Sequence, residues 1–283
     1  MATSAGAGPG VASGPDETAE ELLLRSDLPS LGVSEVDEAR ARARARLGRP
    51  FVDVLELAGA AGAGKTELAI AMAAAFVLPA SLGGSDGSVV WFDSELRLSA
   101  ERVASVLCSR VQVFVDEDKL DPLDAEHLVK ACAQRIHVSQ PGSSLAMLAA
   151  LRCLRDQLHH LDKDTHPRLV VVDSLASFHF QDLETEGVEA GLHCSVPNMM
   201  RAMLVDSLVP ATLLGLKPAL LQPKLSGELT GEYLSQAWQG LVALRLLVET
   251  VDNHLFRLLE PGRELCRFTI DAQMGVQVQR GRG

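Results

Sequence analysis

One octapeptide constrains this chain more than any other stretch: Gly59-Ala60-Ala61-Gly62-Ala63-Gly64-Lys65-Thr66. It fits the pattern GxxxxGK[ST]. It also lies between a run of strand character, FVDVLELAG (51–59), and a helical run from Glu67 to Val77 that stops ahead of Pro79. Glycines at 59, 62 and 64 let the backbone curl so that successive N–H groups face phosphate oxygens, and the positive end of the following helix adds to that attraction. Lys65 would reach the β- and γ-phosphates, and Thr66 would ligate Mg²⁺. The bland alternative is a chance loop in an alanine-rich protein, because Ala60, Ala61 and Ala63 fill the variable positions. The flanking strand and helix weigh against it. The expectation is a nucleoside triphosphate site that takes ATP with Mg²⁺.

From residue 51 strands and helices alternate. Strands are predicted over 88–95 (SVVWFDSE), 135–140, 168–174 (RLVVVDS) and 209–216 (VPATLLGL), with helices over 100–113, 124–135, from Ser143 or Ser144 to His160, and 195–208. After residue 240 the pattern changes to consecutive strands over 241–250, 254–260 and 265–271, with Pro261-Gly262 as a turn signal. The expected fold is α/β: a P-loop ATPase core with a mostly parallel central sheet and C-terminal antiparallel strands. Residues 1–18, rich in Gly, Ala, Ser and Pro, read as a flexible tail. Residues 19–49 read as an N-terminal helical linker, with short helices over 18–30 and 35–49, and residues 50–283 as the ATP-binding domain. The second helical stretch carries Arg40, Arg42, Arg44, Arg46 and Arg49. Arginines two apart wrap around a helix instead of sharing a face. They suit a solvated linker, or alternatively a docking or DNA-contacting segment.

Two strand ends carry acids. Asp173 closes LVVVD about a hundred residues after the loop, where a Walker B carboxylate would orient Mg²⁺ through water. Glu95 ends VVWFDSE and could polarise an attacking water; Asp93 competes with it for that role. The histidines show no ligand spacing, and no Ser-His-Asp arrangement is supported. Trp238 reads as core or interface.

Composition excludes several classes. Aromatic residues make up only 4%, so side-chain patterning is quiet and motifs carry the argument. Cys108, Cys132, Cys153, Cys194 and Cys266 are dispersed with no CxxC spacing, which argues against a disulfide frame or zinc site and for reduced thiols in an intracellular protein. The opening MATSAGAGPG has neither a basic nor an apolar region, so no secretory signal is expected. The longest uncharged stretch, Leu68 to Asp86, is broken by Pro79 and Gly83, so no membrane span is expected either. A net charge of −11 lowers the expectation of strong autonomous DNA binding, which calls for a basic face.

The P-loop GAAGAGKTE, then WFDSELRLSAERV, then LVVVDSLASF together resemble the RecA-like recombinase family. GKTE, DSLASFHF and AWQGLV (237–242), with the short N-terminus, look most like the eukaryotic recombinase paralogs within it. The resemblance covers about residues 18–275. It implies that Glu95 activates water, that Arg102 in SAERV stacks on adenine, and that the chain works in DNA double-strand break repair by homologous recombination. There it would be a nuclear subunit that joins other recombinase paralogs, meets DNA through the complex and supports the strand-exchange recombinase. One departure matters. Where recombinases carry a polar γ-phosphate sensor, this chain has Lys217-Pro218, and the loop beyond, PALLQPKLSGELTGEY, offers the single lysine Lys224. Such a loop lacks the basic residues and stacking aromatics that grip single-stranded DNA, so the ATPase is expected to be weak at most. The rival readings are a free-standing P-loop ATPase or small-molecule kinase, and a binding module with an inert loop. A kinase would be expected to carry an Arg-rich lid, and none is evident after Asp173.

Overall fold

Short branched runs such as LVVVD persist as strands when both sheet faces are covered, and here both are. The computed structural model describes residues 29–47, 53–160, 169–174, 176–178, 212–218 and 236–279. Helices α1 (Ser34–Leu47), α2 (Lys65–Val77), α3 (Ala100–Asp116), α4 (Pro122–Ala133), α5 (Ser144–His160) and α6 (Gln236–Leu241) flank one sheet. Its strands are β1 (Asp53–Gly59), β2 (Val89–Asp93), β3 (Ile136–Ser139), β4 (Leu169–Asp173), β5 (Thr212–Pro218), β6 (Leu244–Asp252), β7 (Leu255–Glu260), β8 (Arg263–Asp271) and β9 (Gly275–Gln279). The spatial order is β3-β2-β4-β5-β1-β6-β7-β8-β9. Pairing is parallel from β3 through β6 and antiparallel from β6 onward. This is a RecA-like P-loop ATPase architecture, as the sequence predicts.

Successive side chains of a strand point to opposite faces, and here they feed two separate cores. Leu55 and Leu57 of β1, Trp91 of β2, Val171 of β4 and Leu214 and Leu216 of β5 join the helices α2, α3 and α4. Val54, Phe92, Val170, Val172 and Leu213, one residue out of phase, join Met147, Leu151 and Leu154 of α5 and Trp238 and Leu241 of α6. Beyond its first three residues helix α2 is apolar all round, and every residue from Leu68 to Val77 is buried. Its alanines let neighbouring elements approach closely on several sides.

The carboxyl ends of the strands gather at one edge. Asp93 is level with Asp173, Asp173 with Leu216, and Gly59 with Pro218. In an open α/β sheet this edge is where ligands bind.

Several expectations need adjustment. Strand β2 ends at Asp93, so Ser94 and Glu95 lie in the turn beyond it. Two further elements, α6 and β9, went unpredicted. The 1–18 tail, the 195–208 helix, most of the 18–30 helix, Arg49 and Lys224 lie outside the described residues. The solvated reading of the arginine run gives way at Arg40. Helix α1 packs Val36, Ala39 and Ala43 into the same core as α2, and Arg40 is buried with them. Its guanidinium pairs with Asp53 and with Asp37 at 2.7 Å. It also donates to the Pro29 carbonyl at 2.8 Å and Thr212 Oγ1 at 3.0 Å. Arg42 pairs with Glu260 at 3.1 Å.

Candidate nucleotide-binding site

The loop between β1 and α2 is shaped by close contacts that side chains would block. A Cβ on Gly59 would stand 2.4 Å from the Val248 carbonyl oxygen of β6. Gly64 has φ 86°, and a Cβ there would meet Ile270 Cδ1 of β8 at 2.7 Å. The appended antiparallel strands therefore buttress the loop from behind. Gly64 N-caps α2 without any side-chain cap hydrogen bond. That leaves the positive end of a 13-residue helix facing the loop, an arrangement suited to an anion.

Lys65 folds over this loop, its Nζ donating to the carbonyls of Gly59 at 2.9 Å and Ala60 at 2.8 Å. Burial pushes its pKa down, against the pull of the Asp173 and Glu95 carboxylates, and the Arg97 guanidinium lowers it further. Thr66 Oγ1 donates to Asp173 Oδ2 at 2.8 Å, joining the start of α2 to the end of β4. Burial pushes the Asp173 carboxyl up. The Thr66 hydrogen bond and the Lys65 charge oppose that rise, while Glu95 and Asp93 add to it. A half-buried cation and a buried carboxylate, each destabilised in its charged form, are groups that a polyphosphate and a divalent cation would complement.

Among the described residues no group of three His, Cys, Asp or Glu side chains could hold a metal alone. Mg²⁺ commonly uses one or two protein oxygens and completes its shell with phosphate and water. The hydroxyl of Thr66 and the carboxylate of Asp173 fit that requirement, and Lys65 with the α2 amides fits a triphosphate.

The two competing acids have different surroundings. Asp93 is fully buried and accepts from the backbone N–H of Arg97 at 2.9 Å and of Leu98 at 3.1 Å. It is spent on shaping the turn after β2. Glu95 lies in that turn and keeps 23% of its side chain exposed. Its Oε1 accepts from Ser174 Oγ at 2.8 Å and Ser177 Oγ at 3.4 Å, and its Oε2 pairs with Arg97 at 2.8 Å. Ser94 Oγ lies 2.9 Å from Ser177 Oγ and donates to the Asp173 and Ser174 carbonyls. The Asp173–Ser174 peptide bond is cis.

Arg102, at the start of α3, reaches the first turn of α2. Its guanidinium pairs with Glu67 at 2.7 Å and donates to the carbonyls of Asp271, at 2.8 Å, and Ala272. Lys217, in the region expected to hold a γ-phosphate sensor, is buried and faces Glu56 at 3.4 Å. Glu56 also accepts from Trp238 Nε1 at 2.5 Å and Arg245 Nε at 2.9 Å. The structure thus brings Gly59, Gly62, Gly64, Lys65, Thr66, Asp173 and Glu95 to one edge of the sheet, with Arg102 at the side of α2. Sequence reasoning missed Arg97, Glu67 and the serines as functional neighbours. The DSLASF motif was visible without a role for its hydroxyls, and Arg97 stands only two residues beyond Glu95.

An AAA domain family model matches residues 25–192, more than half of the chain and the whole stretch from the phosphate loop past Asp173. The mouse DNA repair protein XRCC2 is 27% identical over 84% of this chain and 85% of its own length. The mouse DNA repair protein RAD51 homolog 2 is 34% identical over 46% of this chain, a stretch that spans 34% of that relative. The DNA repair and recombination protein RadA of Methanoculleus marisnigri is 32% identical over 44% of this chain and 36% of its own. Among the described residues no helix is long and apolar enough to cross a membrane.

Proposed function

This chain belongs to the AAA domain family, and on that premise we propose that it is an ATP-binding recombinase paralog. It acts in double-strand break repair by homologous recombination. In this reading it is a nuclear subunit of a hetero-oligomeric complex with other recombinase paralogs, it meets DNA through that complex, and it supports the strand-exchange recombinase. The observation that carries the nucleotide part is the Thr66–Asp173 contact of 2.8 Å. That contact brings together a hydroxyl and a carboxylate, the two protein oxygens that this reading gives to Mg²⁺. The likeness to DNA repair relatives, one of them over most of both chains, supports the repair part.

Each residue has a defined task in this reading. The loop Gly59, Gly62 and Gly64 and the α2 amides bind phosphate oxygens, and Lys65 leaves its loop carbonyls for the β- and γ-phosphates. Thr66 and Asp173 hold Mg²⁺, which would neutralise phosphate charge. Glu95, aimed by Ser174, orients water. Arg102 lies along the adenine side, its guanidinium fixed by Glu67 and the Asp271 and Ala272 carbonyls. Lys217 is engaged with Glu56, so β5 supplies no free cation to the γ-phosphate and hydrolysis is slow.

The test is complementation. Cells lacking this chain should be poor in homology-directed repair of a defined break. The chain should restore repair and co-purify with recombinase paralogs. Full repair without it, with no paralog bound, would favour the free-standing P-loop ATPase or kinase.

A further inference from the structure

The turn between β2 and α3 holds a cation at the phosphate edge that neither the loop motif nor Asp173 accounts for. Its backbone is fixed from below: the buried Asp93 carboxylate takes the N–H groups of Arg97 and Leu98. Leu96, at φ 56°, directs the chain outward and is 69% exposed. In this turn the Arg97 side chain is 59% exposed, and its side-chain partner among the described residues is Glu95 Oε2, at 2.8 Å. The two carboxylate oxygens are held very differently. Oε1 is tied to the hydroxyl of the buried Ser174, just beyond the end of β4, whereas Oε2 is tied to an exposed guanidinium. If the pair opens, Arg97 is the partner that moves. The Arg97 guanidinium also lowers the Lys65 pKa, so the two cations feel each other's charge at the phosphate edge.

We propose, resting on the nucleotide-site reading above, that Arg97 is a γ-phosphate-contacting residue supplied in cis. Without nucleotide it covers Oε2 of Glu95; with a triphosphate bound it transfers to the terminal phosphate and frees that oxygen to accept from water. An exposed ion pair is worth little and is cheap to break, while a phosphate offers a guanidinium two parallel charge-assisted hydrogen bonds. A diphosphate lacks the group that draws Arg97 away, so Glu95 stays covered. Arg97 thereby distinguishes triphosphate from diphosphate in a site whose β5 lysine is committed to Glu56.

The experiment is equilibrium titration of a non-hydrolysable ATP analogue and of ADP, each with Mg²⁺, into the full chain and its Arg97→Ala, Arg97→Lys and Lys65→Ala variants. Arg97→Ala is expected to weaken the triphosphate roughly 10-fold and to leave ADP within about twofold, with Arg97→Lys recovering part of the loss. Lys65→Ala is expected to weaken both nucleotides. An ATP-to-ADP preference unchanged or raised in Arg97→Ala, or both nucleotides weakened equally, overturns the Arg97 assignment while leaving the loop assignment standing if Lys65→Ala still weakens both. Failure of the unsubstituted chain to bind either nucleotide overturns the two together.

Discussion

Burial disfavours the charged forms of both Asp173 and Lys65. Burial raises the Asp173 carboxyl above its usual 3.8, so the folded chain holds that proton more tightly than the unfolded one. The stability this group contributes is present at low pH and is lost as pH rises through its folded value. Wherever pH exceeds that folded value, the ionised carboxylate is therefore a cost to the nucleotide-free chain. Asp173→Asn keeps an oxygen for the Thr66 hydroxyl and removes the charge. It should raise the nucleotide-free thermal midpoint at pH 7 more than at pH 4, and shrink the further rise produced by Mg²⁺ with ATP. Thermal unfolding at both pH values, with and without nucleotide, reads it. A lowered midpoint at pH 7 would mean that attraction to Lys65 outweighs desolvation.

At the scale of elements, α1 is anchored by a residue that looks, in sequence, like surface charge. Arg40→Ala would leave Asp53 buried without its guanidinium, a change that costs about 3–5 kcal/mol. Arg46, exposed on the same helix, should shift stability by less than about 0.5 kcal/mol when changed to Ala. Urea unfolding of both variants checks the contrast; equal effects would contradict the packed geometry. Helix α6 has a comparable anchor. Trp238→Phe removes the donor to the buried Glu56 and should cost roughly 1–3 kcal/mol. Trp238 was legible as core or interface, and it is fully buried, but its partner Glu56 and the Arg40 anchor were not legible, for a physical reason. An Arg-x-Arg-x-Arg run has no helical face, so its periodicity cannot single out the one member that turns inward, and the partners Asp53 and Thr212 become neighbours only when β1 pairs with β5. Glu56 interrupts an apolar strand at a position where alternation allows either face. The strand ends at Gly59 and Asp173, by contrast, were legible because loop chemistry and apolar runs are local signals. Strand β9 escaped because GVQVQ alternates over only five residues.

For the whole molecule, the net charge is −11, and the burial of Arg40 and the pairing of Arg42 with Glu260 leave α1 fewer cations for DNA than its sequence offers. The chain alone should bind DNA weakly, with a shallow dependence of affinity on salt, and neutralising Arg42 and Arg46 together should change that little. Nanomolar binding that falls steeply with salt and is lost in the double variant would make α1 the DNA contact. Steady-state hydrolysis by the chain alone should stay below about 1 s⁻¹, under the range of working enzymes. The claim on which every other rests is that the loop from Gly59 to Thr66 binds nucleotide through its lysine, and fluorescence titration of an ATP analogue with Mg²⁺ tests it most directly. The account predicts saturable binding that weakens roughly 10- to 100-fold in Lys65→Ala, the size of a lost charge-assisted hydrogen bond. Equal affinity in the two proteins would contradict it.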